Sequence, residues 1–306
     1  MGTNSFHLII AKVKKNGSFK IVDREREVIR LGSHEGQNLS IISPGEIEAS
    51  VEVLLRFKKL SGIYGTNMNA LATSAVREAE NKNEFISLIK ERTGIKVKVI
   101  EGHHEARLIY LGVKKALPIS DKKVLCIDIG GGSTEFILGD NGEPAFAESV
   151  KIGAVRLSKK FFPDYVLTPK SVSECEKFIE QEIKSNRRIK LNTEIDFAVG
   201  SSGTIQSAAS IICSVKYSKP PASLNGFTFS SDELKIIFND MMRLKTPSER
   251  INIKGLEAKR ADIIPAGMLV LKKIFDLFGI RKMTVSEFAL REGILLEMIS
   301  KSRVKE

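Results

Sequence analysis

Asp128-Ile129-Gly130-Gly131-Gly132-Ser133-Thr134-Glu135-Phe136 is the stretch on which the reading of this chain turns. The apolar run Val124-Leu125-Cys126-Ile127 leads into it as a buried strand, and Phe136-Ile137-Leu138 leaves it as another. Strand, glycine turn and strand bring bare backbone close to a ligand. Three consecutive glycines carry no Cβ and permit positive φ, so successive N–H groups can converge on a phosphate. Asp128 and Glu135 bracket the turn. Two carboxylates beside a phosphate cradle repel the ligand unless a cation bridges them. The plainer alternative is a glycine-rich hairpin with two solvated acids; the buried flanking strand and the pairing of the acids favour a site. Two nucleotide motifs are excluded. No Gly-Lys-Ser/Thr follows at P-loop spacing, and Glu135 stands where a dinucleotide fingerprint needs its third glycine.

Outward from this turn the chain reads as two α/β halves. Residues 6–13 alternate as a strand, Asn16-Gly17 signals a two-residue hairpin, and Phe19-Lys20-Ile21-Val22 returns. Val28 to Gly32 predicts a third strand. Ser43-Pro44-Gly45-Glu46 opens a helix with a capping box and a first-turn proline. Short strands at 69–73 and 96–100 and helices at 84–92 and 103–116 complete an α/β pattern with a mixed sheet. Then the order restarts, with strands at 124–127, 136–138 and 145–151. A shift of 128 residues lays Gly130 on Gly2, Ser133 on Ser5 and Glu135 on His7, so Gly2-Thr3-Asn4-Ser5 reads as a first copy of the glycine loop. The strand matching 124–127, and the residue matching Asp128, would precede Met1. Helices are expected near 171–188, 231–244 and 258–277. The run Asp196 to Thr204 is a third strand-to-turn, whose small polar residues open a helix: an anion position, or an ordinary Ser/Thr cap. A strand at 282–285 leads to a last helix from about residue 290. The expected lobes are residues 1–118 and 119–306, the last helix packing back on the first lobe.

The chain has 306 residues, 42% of them hydrophobic and 28% charged, which is ordinary for a globular protein with room for two domains. No signal peptide or membrane span is visible, and three scattered cysteines without metal-ligand spacing fit a reducing cytoplasm. The net charge of +11 is spread over both halves and suits a polyanionic partner. With no tryptophan and four tyrosines, no stacking platform for nucleic acid is suggested.

The duplicated glycine hairpins resemble the actin/Hsp70/sugar-kinase superfamily, and within it the exopolyphosphatase/guanosine pentaphosphate phosphatase (Ppx/GppA) family. The resemblance is carried by Gly2-Thr3-Asn4-Ser5-Phe6-His7-Leu8, Ala72-Thr73-Ser74-Ala75-Val76-Arg77-Glu78-Ala79, Glu105-Ala106-Arg107-Leu108, Asp128 to Glu135, Gly200 to Thr204, and Arg291-Glu292-Gly293 preceded by Ser286. It implies two ribonuclease H-like (actin-like ATPase) lobes with mixed five-stranded sheets, flanking helices and a cleft between. It implies an exopolyphosphatase acting on inorganic polyphosphate, or alternatively a guanosine pentaphosphate phosphohydrolase, with Mg²⁺ or another divalent cation, cytoplasmic, without membrane or specific nucleic-acid partners, and able to form a homodimer. Glu105 matches the catalytic carboxylate that places water. Asp128 and Glu135 match the acids that hold the cation, Glu135 with a catalytic part as well. Asn4, Ser5, Gly130, Gly131, Gly132, Ser133, Ser202, Gly203 and Thr204 match phosphate loops, and Arg77 a substrate-contacting arginine. Two features depart from the family pattern: the aspartate that should precede the first loop is absent, and His104 stands where the family has a carboxylate. Read from its own surroundings, Glu105 is a first-turn acid favouring the helix dipole, and Arg77 a surface partner of Glu78 or Glu80. A sugar or acetate kinase, or a non-catalytic polyphosphate- or nucleotide-binding protein, are the competing classes.

Overall fold

The computed structural model describes residues 1–32, 41–191, 194–218 and 221–303. It forms two compact units: Met1–Glu105 with Ile294–Glu306, and Ala106–Gly293. The first junction thus falls inside the helix 102–116, not at 118, and the second inside the last helix.

In the first unit β1 (Ser5–Val13) pairs antiparallel with β2 (Phe19–Val28). α1 (Pro44–Ile63) follows, started by the Ser43/Glu46 capping box. Then come β3 (Ala70–Ala72), α2 (Ser74–Glu78), α3 (Lys82–Thr93), β4 (Val97–Val99) and α4 (Gly102–Ala116). α3 stops where Gly94 takes the left-handed conformation, with φ 71°. Phe6, Leu8 and Ile10 of β1 bury against Val51, Leu54 and Phe57 of α1 and Phe85 and Ile89 of α3.

Two expectations need correction here. The separate strands at 19–22 and 28–32 are one strand, β2, which ends at Val28; Ile29 and Arg30 instead donate their N–H groups to the carbonyl of Asn4. The charged middle of β2, Asp23 to Glu27, hid the strand from an apolar scan. The turn is also longer than Asn16-Gly17: Val13 pairs with Phe19, leaving residues 14–18 as the loop, closed by Lys14 N–H to the Ser18 carbonyl.

The second unit is built on one sheet: β5 (Val124–Ile129), β6 (Thr134–Asp140), β7 (Glu143–Val150), β8 (Phe197–Ser201), β9 (Thr228–Ser230) and β10 (Lys282–Val285), in the order β7-β6-β5-β8-β10-β9. Three antiparallel strands, then parallel β8 and β10, give the ribonuclease H-like lobe; β9 adds an antiparallel edge. Helices α5 (Ala154–Phe161), α6 (Pro169–Ser185), α7 (Ser202–Lys216), α8 (Ser231–Arg243), α9 (Pro247–Arg250), α10 (Ile264–Phe278) and α11 (Leu290–Arg303) complete the chain. β5 is buried along its whole length: Val124 and Cys126 meet Tyr110 and Val113 of α4, while Leu125 and Ile127 meet the core of α6, α7 and α10.

Among the described residues, five-stranded sheets are therefore found in neither unit. The second has six strands, and the first has two pairs, β1-β2 and β3-β4. In the second unit β5 bonds β6 on one side and β8 on the other. In the first unit Met1 donates its amine to the Leu71 carbonyl at 2.7 Å and accepts from Thr73 N–H at 3.2 Å.

The internal duplication is otherwise close. Gly2 N–H bonds the Ser5 carbonyl at 3.1 Å, and Gly130 N–H bonds that of Ser133 at 2.9 Å. Ser5 Oγ meets His7 Nε2 at 2.9 Å, and Ser133 Oγ donates to Glu135 at 2.6 Å. The same 128-residue shift lays β3 within β8 and starts α2 and α7 at Ser74 and Ser202.

α4 and α11 touch through glycines. A Cβ on Gly112 would overlap the Ala289 carbonyl, and one on Gly293 that of Leu108. Gly112→Ala should therefore destabilise by about 1–3 kcal/mol, read as a lower urea midpoint, whereas Leu55→Ala on the exposed face of α1 should shift it little.

Candidate active site

The 130–133 loop joins β5 to β6 and is anchored from behind by α5. The Gly130 carbonyl accepts from Ala154 N–H, the Gly131 carbonyl from Val155 and Arg156 N–H, and the Gly132 carbonyl from Arg156 Nε, all at 2.8–3.0 Å. In a trans peptide the next N–H points opposite to the carbonyl. The N–H groups of Gly131, Gly132 and Ser133 are therefore turned away from α5, and none has an acceptor among the described residues. Three successive unsatisfied donors on one side of a loop are an arrangement that can receive an anion. None of the three glycines takes positive φ. Close approach replaces that expectation: Gly153 lies so near the Gly131–Gly132 peptide that it has no room for a Cβ.

Asp128 and Glu135 are direct partners across β5 and β6, so both carboxylates leave the same face of the sheet. Both are buried. Ser201 Oγ, at the end of β8, donates to Asp128 at 2.6 Å, and Ser202 bonds it as well. Ser133 and Ser149 hydroxyls both donate to Oε1 of Glu135, at 2.6 and 2.7 Å. Burial pushes the Asp128 carboxyl up to about 6, against the pull of the two serines and Arg291. Two acids facing each other at close range, each oriented by hydroxyls, fit a small hard cation that takes one or two carboxylates and fills its shell with water and phosphate oxygens. No cluster of three or more acidic, histidine or cysteine ligands exists among the described residues. Ser133 offers its N–H to the nest, its hydroxyl being engaged by Glu135.

The third loop enters α7. Ser202 holds a left-handed φ of 73°, unusual for a residue other than glycine. Gly203 backs directly onto the guanidinium of Arg260. Thr204 packs against Gly267 of α10, so it presents its backbone and not its hydroxyl.

In the first unit, Asn4 is buried, and its Oδ1 has no hydrogen-bond partner among the described residues. Ser5 is buried beside His7. Arg77 leaves α2 and bonds Glu105 Oε2 at 3.0 Å and the Ile100 carbonyl at 2.8 Å. Arg77 therefore pairs with Glu105, not with Glu78 or Glu80. Glu105 is only 6% exposed, far more buried than a solvated first-turn acid. His104 meets Glu297 at 2.8 Å. So Arg77 joins Glu105 in one unit, while Asp128, Glu135 and the loops at 130–133 and 201–204 assemble in the other. Sequence reading missed Ser149, Ser201 and Arg260. Each comes from a strand or loop remote in sequence, and only the sheet register or loop packing reveals it.

The profile of the Ppx/GppA phosphatase family matches residues 9–302. The chain belongs to the Ppx/GppA phosphatase family. It is 31% identical to guanosine-5'-triphosphate,3'-diphosphate pyrophosphatase of Photobacterium profundum, over 99% of this chain but 59% of that protein, so it spans well under two thirds of this longer relative. It is 28% identical to exopolyphosphatase 1 of Mycobacterium leprae, over 98% of this chain and 88% of that one. The crystal structure of the Aquifex aeolicus Ppx/GppA family member superposes with a TM-score of 0.80 at 30% identity, covering 99% of this chain and 96% of the other. Like the Ppx/GppA family as a whole, the chain is a phosphatase-type hydrolase. No helix among the described residues is long and apolar enough to cross a membrane.

The raised pKa of Asp128 has a measurable cost in this Ppx/GppA protein. Below its ordinary value of 3.8 both folded and unfolded chains hold the proton, and nothing is lost. Above about 6 the buried carboxylate is ionised and destabilises the fold. Asp128→Asn should raise the Tm at pH 8 and leave it unchanged at pH 3.5; an equal shift at both would refute the assignment. For the hydroxyl behind Glu135, Ser149→Ala should lower kcat about tenfold or more with KM little changed, and Ser149→Thr should restore it, measured by phosphate release.

Proposed function

We propose that the protein is an exopolyphosphatase, releasing orthophosphate from the ends of inorganic polyphosphate. The observation that carries this reading is the three-donor nest at Gly131, Gly132 and Ser133 beside the facing carboxylates of Asp128 and Glu135. Hydrolysis of a phosphoanhydride asks a protein for positioning and charge compensation, with little covalent work. The N–H groups of the 130–133 loop grip non-bridging oxygens. The 2–5 loop, with the unsatisfied Asn4 amide oxygen, and the start of α7, backed by Arg260, supply further polar contacts. Glu105 accepts a hydrogen bond from the attacking water and orients it toward the terminal phosphorus. Arg77 fixes Glu105 by a short ion pair and keeps that carboxylate from swinging into solvent. Asp128 and Glu135 would hold Mg²⁺, which when bound offsets the phosphate charge.

Guanosine pentaphosphate is the second reading, since relatives with both names match. Polyphosphate is favoured by the diffuse charge of +11, which suits a long polyanion. The test is phosphate release from each substrate with Mg²⁺. Polyphosphate should be the better substrate by kcat/KM, and Glu105→Gln should lower kcat at least about 100-fold with binding retained. Equal rates for wild type and Glu105→Gln would remove Glu105 from the reaction.

A further inference from the structure

The sheet of the second unit has two faces, and Asp128 and Glu135 occupy one of them. Side chains alternate along a strand, so Leu125 on β5 and Phe136 and Leu138 on β6 belong to the opposite face. On β7 the register sets Phe146 beside Leu138 and Glu148 beside Phe136. These side chains line a cavity of about 630 Å³. Phe278, at the end of α10, borders it, with its ring centroid 6.0 Å from that of Phe136. Ile189 and Ile195, between α6 and β8, line it as well. The chain there is tied at both ends. Arg188 pairs with Glu148 at 2.8 Å. Lys123 N–H donates to Asp196 Oδ2 at 2.8 Å, and Asp196 N–H donates to the Lys123 carbonyl at 2.9 Å. Arg187, Arg188 and Lys190 are exposed and stand at the mouth.

The cavity is of ligand size, and its lining restricts what can fill it. Among the described residues that lining has no hydroxyl, amide or imidazole side chain. A sugar, a base or a phosphate chain buried there would leave polar groups without partners, at a cost for each. The body of a fitting ligand is therefore hydrocarbon. The row Leu125, Leu138, Phe146 crosses three strands, about 10 Å in all, which suits an elongated body. At the mouth Arg187, Arg188 and Lys190 face one acid, Glu148, and Arg188 already pairs with it. The surplus of positive charge favours a negative head. We propose that this cavity binds a fatty carboxylate, a single unbranched acyl chain laid along Leu125, Leu138 and Phe146 with its head among Arg187, Arg188 and Lys190. The proposal is independent of which phosphoanhydride the protein cleaves, because the cavity lies on the sheet face that Asp128 and Glu135 do not use.

The experiment is calorimetric titration of the whole protein with decanoate, kept below its micelle concentration, and in parallel with octanoate and 1-octanol. Decanoate should bind saturably and about tenfold more tightly than octanoate, since two further methylenes are buried. Arg187→Gln should weaken decanoate about two- to fivefold near 0.1 M salt and leave 1-octanol unchanged. Lys235→Gln, on the exposed side of α8, should change neither. Leu138→Trp, which fills the cavity, should abolish decanoate binding. In ¹H–¹⁵N spectra decanoate should move the amides of Leu125, Leu138 and Phe146, and tripolyphosphate should not displace it. The proposal is overturned if decanoate does not saturate, if 1-octanol binds as tightly as octanoate, or if Arg187→Gln has no more effect than Lys235→Gln. Displacement by tripolyphosphate, or shifts confined to other amides, would overturn it too, as would wild-type affinity in a folded Leu138→Trp. Should Leu138→Trp fail to fold, the exposed Arg187→Gln and the amide shifts still decide.

Discussion

The carbonyls of Gly130, Gly131 and Gly132 are all taken by donors from α5 and Arg156. Everything proposed for the second unit depends on that fact. Peptide planarity converts it into three N–H groups aimed the other way. A loop without the anchor would be free to rotate its peptides and to satisfy those donors internally. The anchor also explains Gly153, where any Cβ would push α5 off the loop. The same few residues fix the position of Ser133, whose hydroxyl then holds Glu135 in place. Anion grip and carboxylate orientation are one piece of local structure.

The duplicated loops have diverged in charge. In the second unit the register sets Glu135 opposite Ser149; in the first, His7 occupies the matching position and stands opposite Arg26. Both copies retain the Gly-to-Ser closing bond and the Ser side-chain contact two residues on. One copy therefore presents carboxylates held by hydroxyls, suited to a cation. The other presents an imidazole and an arginine, suited to an anion. A single hairpin design thus carries opposite charge in the two units.

Much of this was legible in the sequence, for reasons that differ by element. The glycine loop and β5 stood out because a run buried on both faces has no polar residue to blur it. The start of α1 was legible because capping is local, decided by Ser43, Pro44 and Glu46. β2 was misread as two strands because its middle is charged on both faces, and only pairing with β1 makes it a strand. The burial of Glu105 was hidden for a related reason. Its position in the first turn of α4 looks like a dipole acid, and its burial against Arg77 depends on α2 lying alongside. Ser149 and Ser201 reach Glu135 and Asp128 through strand register and crossover, which no local pattern encodes.

The most direct test of the account is the response of backbone amides to an anion. In ¹H–¹⁵N spectra of the assigned protein titrated with tripolyphosphate, the amides of Gly131, Gly132 and Ser133 should move downfield together and saturate with one affinity, unchanged in Glu105→Gln. Saturable binding that leaves these three resonances in place would contradict it.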